Sequence, residues 1–411
     1  MRVSTNQIFN NNLQRLLNTQ AKLVRDENML QEQTRILTPG DDPAGAATVL
    51  RLNERVALNA QYMENTDKVA NSLSRQESVL DGITKALQRA QTLSVQAGNG
   101  ALAYEDRVAV GTELAGIEQE ILDLMNTKDE FGNYLFSGFQ GDQKPVGLEP
   151  ASAEFPFGSY SYNGDSGHRE LQVSNSLSLQ VSSSGAAIFE SAERRANITP
   201  PQVSAGTADV TRVEITDQQA FDSFYASNYR AANDGSNDFE ISVIAGAPDT
   251  YEISQNGTVI QTGNYTDGEA IDFNGAAITL DNAVGSTVEF SFQQPKGNIL
   301  TSLRNLSQQM LSQTSTLTER QQANVDFDVH AENAMDSIDG NRSKIGSRMN
   351  LAQSVKDALG EQDIADKETI ESVAGLDMAE GISRLIQTET SLQSIQATFT
   401  RVTSLSLFDY L

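Results

Sequence analysis

No proline occurs between Pro43 and Pro145, and none after Pro295. Proline removes a backbone donor and clashes with the preceding turn, so only proline-free stretches can run as long unbroken helices. Of the 9 prolines, Pro39 and Pro43 share one loop and the rest lie from Pro145 to Pro295. The chain therefore reads as helical over about 1–140, strand-like over about 145–295 and helical again over about 297–411. That order predicts a mainly α fold with an inserted β domain.

The first helical stretch carries Leu16, Leu23, Leu30 and Leu37 at seven-residue spacing, with Leu13, Leu17 and Val24 beside them. Gln20, Glu27 and Thr34 fill the other column, so this is half of a heptad seam. The stretch runs into Thr38-Pro-Gly-Asp-Asp-Pro43, a loop whose aspartate pair is placed to cap the next helix. A second helix is expected over about 43–98, with Val69, Leu73, Leu80, Ile83 and Leu87 on one stripe. A third is expected over about 105–128, on Val110, Leu114, Ile117, Ile121 and Leu124. After Gly297 the stripe resumes through Ile299, Leu303, Leu306, Met310 and Leu317, then less regularly to Leu359. The last helix carries Ile382, Leu385, Leu392, Ile395, Phe399 and Val402. Residues 1–25 contain no acid, and the last 30 residues hold two charges of each sign. Low charge and a leucine stripe at both ends mark surfaces built to be packed. The assembly seam is therefore assigned to Leu16, Leu23, Leu30, Leu37, Ile382, Leu385, Leu392 and Phe399. Burial of these few side chains falls short of the entropy cost of fixing two such arms, so the arms are expected to order when they pack.

In the middle region, Asp238-Phe-Glu-Ile-Ser-Val-Ile244 alternates with period two. Asn256-Gly257 and Asn274-Gly275, each between apolar alternating runs, are signals for two-residue hairpin turns. Between 144 and 290 there are 6 basic and 20 acidic residues, so much of the chain's net charge of −26 sits in this insert.

A charge of that sign repels nucleic acid, whose binding draws on basic patches. The sequence has no Cys and two His, which removes zinc fingers, iron–sulfur sites, disulfides and thiol catalysis. No apolar run reaches the roughly 18–20 residues of a membrane helix. The N-terminal residues lack the apolar core of a cleaved secretory signal. Asn233-Asp-Gly-Ser-Asn-Asp238 lacks the sixth-position Gly and twelfth-position Glu of a calcium loop and reads as an acidic turn. His168 falls in a loop beside acids, and His330 in a polar helix where it is solvated or hydrogen-bonded. No phosphate-cradling loop or nucleophile elbow occurs. The expectation is a non-enzymatic chain with no cofactor and no metal.

Several stretches resemble the flagellin family, the helical subunits of the bacterial flagellum. Val3-Ser-Thr-Asn6, Ile36-Leu-Thr-Pro-Gly-Asp-Asp-Pro-Ala-Gly-Ala-Ala47 and Leu93-Ser-Val-Gln-Ala-Gly-Asn-Gly100 are similar to its N-terminal part. Asp377-Met-Ala-Glu380 and Leu405-Ser-Leu-Phe-Asp-Tyr-Leu411 are similar to its C-terminal arm. Phe131-Gly-Asn-Tyr-Leu-Phe-Ser-Gly-Phe139, the two prolines around the aspartate pair and the Asp-Tyr-Leu ending look more like the hook–filament junction branch than the filament subunit.

The resemblance implies a division into 1–42 with 376–411 as paired coiled-coil arms, 43–144 with 296–375 as a helical bundle, and 145–295 as an outward-facing β domain. It implies a β-hairpin near 131–139. It also implies an extracellular subunit exported unfolded through the flagellar type III channel without a cleaved signal. Its partners would be copies of itself in a helical ring, a hook-side junction protein and filament flagellin. A cytosolic export chaperone would cover Ile395, Val402, Leu405, Leu407 and Phe408. No nucleic acid and no membrane insertion are expected. Two other readings stay open: filament flagellin itself, and a soluble coiled-coil adhesin whose β domain holds a ligand.

Overall fold

A computed structural model describes residues 5–130, 132–152, 155–230 and 235–408, with backbone alone at 5, 6, 8, 9 and 402–408. Three helices open the chain: α1 (Thr5–Glu32), α2 (Pro43–Ala97) and α3 (Tyr104–Met125). Two small hairpins follow, β1 (Val146–Glu149) with β2 (Ser159–Tyr162), and β3 (Glu170–Gln172) with β4 (Ser178–Gln180). Next come α4 (Gly185–Phe189), β5 (Asn197–Ile198), β6 (Gln202–Ala205), β7 (Asp209–Ile215) and α5 (Gln218–Asn228). The insert is completed by β8 (Asp238–Ile244), β9 (Thr250–Gln255), β10 (Thr258–Asn264), β11 (Ala270–Phe273), β12 (Ala276–Asp281) and β13 (Thr287–Gln293). The chain closes with α6 (Ile299–Leu311), α7 (Leu317–Ala374) and α8 (Met378–Phe408). The fold is mainly α with an inserted β domain and long paired terminal helices.

Packing divides the chain into two units. One comprises Met1–Asn71, Leu171–Leu179 and Met349–Leu411; the other comprises Ser72–Glu170 and Gln180–Arg348. In the first, α1 lies along α8, and the early part of α2 is tied to the late part of α7 by an Arg55–Asp366 ion pair and by Lys356–Asp67 at 2.6 Å. The tip between β3 and β4 rests on α2, where Tyr62 Oη donates to Asn175 Oδ1 at 3.0 Å and Asn65 donates to the Gln172 carbonyl at 2.9 Å.

In the second unit the apolar stripes meet as the periodicity predicts. Leu73, Leu80, Ile83 and Leu87 of α2 are fully buried, as are Leu114, Ile117 and Ile121 of α3 and Leu303, Leu306 and Met310 of α6. One charge is buried among them: Glu118 accepts from Tyr160 Oη at 2.7 Å and from Arg304 Nη1 at 2.9 Å. Burial, aided by Glu118, raises the Tyr160 hydroxyl pKa, so it stays a donor. A break separates α6 from α7 at Ser312–Thr316, where the stripe alone suggested continuity. Thr316 and Glu319 cap each other across it: Thr316 N donates to Glu319 Oε2 at 2.7 Å and Glu319 N donates to Thr316 Oγ1 at 3.2 Å.

The insert is built on the two Asn-Gly turns. Asn256 and Gly257 have φ of 48° and 74°, Asn274 and Gly275 of 49° and 92°, the left-handed pair that a two-residue hairpin turn requires. They join β9 to β10 and β11 to β12. The antiparallel order β10-β9-β8-β13-β5, with β6 also on β13, faces a separate sheet ordered β11-β12-β7 through a shared core. Phe221 and Phe224 of α5 pack into that core against Phe292 of β13, with ring centroids 5.9 and 5.7 Å apart. The sequence reading contained no α5. Asp217 caps it by accepting from Ala220 N at 3.0 Å.

Among the described residues, the segment near 131–139, expected to be a hairpin, holds no strand longer than a single bridge. Phe131 lies outside the described residues, and its neighbours form turns closed by one bridge, Lys128 to Tyr134. The aromatic residues there serve packing instead: Phe136 is fully buried edge-on to Phe189, while Phe139 is exposed.

Candidate assembly site at the terminal helices

The first unit's geometry begins at the turn after α1. The helix stops at Glu32, and Gln33 adopts a φ of 55°. The chain then pairs with the end of α7: Arg35 N donates to the Ala374 carbonyl at 2.8 Å and Leu376 N to the Gln33 carbonyl at 3.1 Å. Leu37 therefore sits in this turn and not on the helical seam, a correction to the heptad reading. Asp41 fastens the loop, accepting from Leu37 N at 3.1 Å, from Thr38 N at 3.0 Å and from Arg25 at 2.5 Å. The Thr38 amide, with Leu37 and Arg25, holds the Asp41 carboxyl below the usual range. Asp42 does the helix capping, accepting from Gly45 N at 2.9 Å. Ile36, Leu37, Pro39, Pro43 and Leu50 line an apolar groove of about 480 Å³ beside the loop.

From this anchor α8 runs antiparallel to α1. Thr388 donates to Asp26 Oδ2 at 2.8 Å, and a Cβ on Gly381 would lie only 2.9 Å from Leu30 Cδ2. Leu16, Leu23 and Leu30 of α1 are half-buried, as are Leu385, Leu392, Ile395 and Phe399 of α8. Gly381, Leu385, Thr388, Leu392, Ile395 and Phe399 alternate by four and three, a full heptad seam. On α1 the second column is Asn12, Thr19 and Asp26, which are half-buried, and not Gln20 and Glu27, which are exposed. Ile382, assigned to the seam by sequence, faces outward at 47% exposure. Val402, Leu405, Leu407 and Phe408 lie outside the residues whose side chains are described.

Both helices keep large apolar side chains in solvent. Leu17, Val24, Ile382 and Ile386 are 55%, 50%, 47% and 57% exposed. Leu17 and Val24 each follow an inward leucine by one residue, as Ile386 follows Leu385. In an antiparallel pair that offset turns both sets to the same flank. The opposite flank carries Arg15, Lys22 and Arg384, all exposed. One flank of the pair thus carries exposed Leu17, Val24, Ile382 and Ile386 among Gln20, Glu27 and Glu389, and the other is basic.

The histidines form no site. His168 pairs with Glu170 at 3.3 Å, and His330, expected on a polar helix face, is fully buried and hydrogen-bonded. Among the described residues no group of three or more metal-ligating side chains occurs, and no helix is long and apolar enough to cross a membrane.

Residues 3–141 match the model of the bacterial flagellin N-terminal helical region. The N-terminal third of the chain is therefore similar to that of bacterial flagellins. It is 31% identical over 191 residues to the flagellar hook-associated protein 3 of Salmonella typhimurium, and 30% identical over 210 residues to that of Escherichia coli. These alignments cover 46% and 51% of this chain and 57% and 63% of the two relatives, so the chain spans about six tenths of their length. The fold is similar to the crystal structure of Xanthomonas campestris FlgL, with a TM-score of 0.53 at 21% identity over 78% of this chain and 99% of that one. The flagellar hook-associated protein-3 of Legionella pneumophila gives the same TM-score and identity over 79% of this chain and 98% of that one.

Proposed function

We propose that this chain is a non-enzymatic structural subunit that joins the flagellar hook to the filament, outside the cell. The observation that carries this is the one-sided apolar flank of the α1–α8 pair, in a chain whose relatives include hook-associated proteins. A subunit that bridges two lattices needs packing surfaces, and a flank rich in Leu, Val and Ile gains free energy only when covered. The contact is heterologous, so it propagates around a ring instead of closing a dimer. The arms 1–42 and 376–411 would occupy the inner layer, with 43–144 and 296–375 next and 145–295 outermost. Contacts to a hook-side junction protein and to filament flagellin complete the assignment. Export unfolded through the type III channel, with a chaperone on the C-terminal arm including Ile395, follows from the same reading.

The test is complementation of a flagellated strain from which its own copy has been deleted. The wild-type chain restores filaments on hooks, and Leu17→Asp with Ile386→Asp does not, although that variant is secreted and its monomer melts like wild type. Filaments retained by the double variant would refute the assignment of this flank. Long polymers formed by the purified wild-type chain alone would favour a filament subunit instead.

A further inference from the structure

The β domain hangs from the helices by two chain crossings that pair with each other. Arg194 N donates to the Pro295 carbonyl at 2.8 Å, Gly297 N to the Ala192 carbonyl at 3.1 Å, and Glu193 bridges Lys296. This ribbon continues into the sheet as β5 on β13. Beside it opens a cleft of about 640 Å³, with Val210, Val213 and Gln218 on the insert side and Ser302, Gln322 and Asp326 on the helical side. If the insert bends on the helices, the bend falls at this two-stranded ribbon, where an open cleft leaves few packed side chains to resist it.

Arg195 spans the cleft. The Arg195 guanidinium, only 14% exposed, donates to Asp222 Oδ2 on α5 at 2.7 Å through Nη2 and at 3.2 Å through Nε. Its Nη1 meets Asp326 Oδ1 on α7 at 3.5 Å. Gln218 donates to the other Asp222 oxygen at 2.8 Å, fixing that carboxylate toward the arginine. We propose that Arg195 is a latch that sets the angle of the β domain on the helical core by clamping Asp222 to Asp326 across the hinge.

Arginine suits this place because its planar fork presents separate donors to two carboxylates at once. The pair with Asp222 lies within the insert's own side of the cleft and the pair with Asp326 crosses it. Loss of Asp326 therefore leaves the β domain folded and frees its angle. A merely structural arginine would instead show its loss as a less stable β domain.

The natural absence of cysteine permits a direct measurement on the full chain. Spin labels at Lys85→Cys, on α2, and Thr258→Cys, on β10, report the angle as a distance distribution. Wild type gives one narrow distance. Asp326→Ala and Arg195→Gln each at least double its width, with the far-ultraviolet spectrum and the melting of the chain retained. Arg195→Lys, which keeps the charge but not the fork, falls between. If Arg195→Gln fails to fold, Asp326→Ala decides alone. An unchanged width in a folded Asp326→Ala chain overturns the latch.

Discussion

His330 is held neutral by its surroundings. Its Nε2 lies 3.2 Å from the Gly297 carbonyl and so carries the hydrogen, while Nδ1 accepts from the Ser302 hydroxyl at 2.8 Å. Burial, with the nearby positive charge of Arg194, pushes its pKa down to about 4. Above the unfolded value of about 6.5 both states are neutral and the histidine leaves stability independent of pH. Below it the unfolded chain takes up a proton that the folded chain refuses, so stability falls as the pH drops toward 4, by about 3 kcal/mol over the window. Burial raises Asp326, Asp328 and Glu190, which act in the opposite sense. The contribution of His330 is therefore read as the difference in urea midpoints between wild type and His330→Gln at pH 7 and pH 5. Wild type loses more on acidification; equal losses would contradict the assignment. Gly275 has a φ of 92°, and a Cβ there would meet the Asp217 carbonyl oxygen at 2.1 Å. Gly275→Ala lowers the unfolding free energy, read from denaturant titration, by roughly 1–3 kcal/mol or more, from backbone strain and the clash with the α5 cap. The Asn-Gly turn was plain in the sequence. The burial of His330 was not, since a polar neighbourhood in sequence says little about what another helix places over it.

Among elements, α2 shows most clearly what a pattern can hide. Leu52, Asn59, Thr66, Leu73, Leu80, Leu87 and Ser94 form one seven-spaced buried column. Asn59, Thr66 and Ser94 broke the apolar pattern, so the sequence disclosed only the stretch from Val69 to Leu87. Asn59 is 4% exposed and its Nδ2 has no hydrogen-bond partner. Asn59→Leu should raise the melting temperature, by the equivalent of about 1 kcal/mol, because it removes a desolvated donor and adds apolar burial. A lower melting temperature would mean that the amide finds a partner in solution. On the α1–α8 pair the leucine column was legible, but its companion column and the place of Ile382 were not. Both errors share a cause: with Leu17 and Val24 beside Leu16 and Leu23 on α1, and Ile382 and Ile386 beside Gly381 and Leu385 on α8, each helix offers two apolar stripes, and only the partner helix selects one. Gly381 marks where that selection is tightest. Gly381→Val drives the new side chain into Leu30 and Leu376, and should lower by about 1–3 kcal/mol the protection that α1 amides gain on assembly, measured by hydrogen exchange.

For the whole molecule, proline placement and charge separated helical ends from an acidic insert before any fold was known. The hairpin turns and β8 were equally visible, while α5 was masked by its short length and its Phe-rich pattern among strands. The expectation that the terminal arms order on assembly follows from their small apolar content, and it bears on the central claim that the α1–α8 pair is the assembly site. The most direct measurement is peptide-resolved hydrogen exchange on the full chain, free and in isolated hook–filament junctions. Fast exchange is expected across 5–32 and 378–408 in the free chain and strong protection there after assembly, with α3 and α6 unchanged. Equal protection of both terminal helices in the two states, or protection gained only in the β domain, would contradict it.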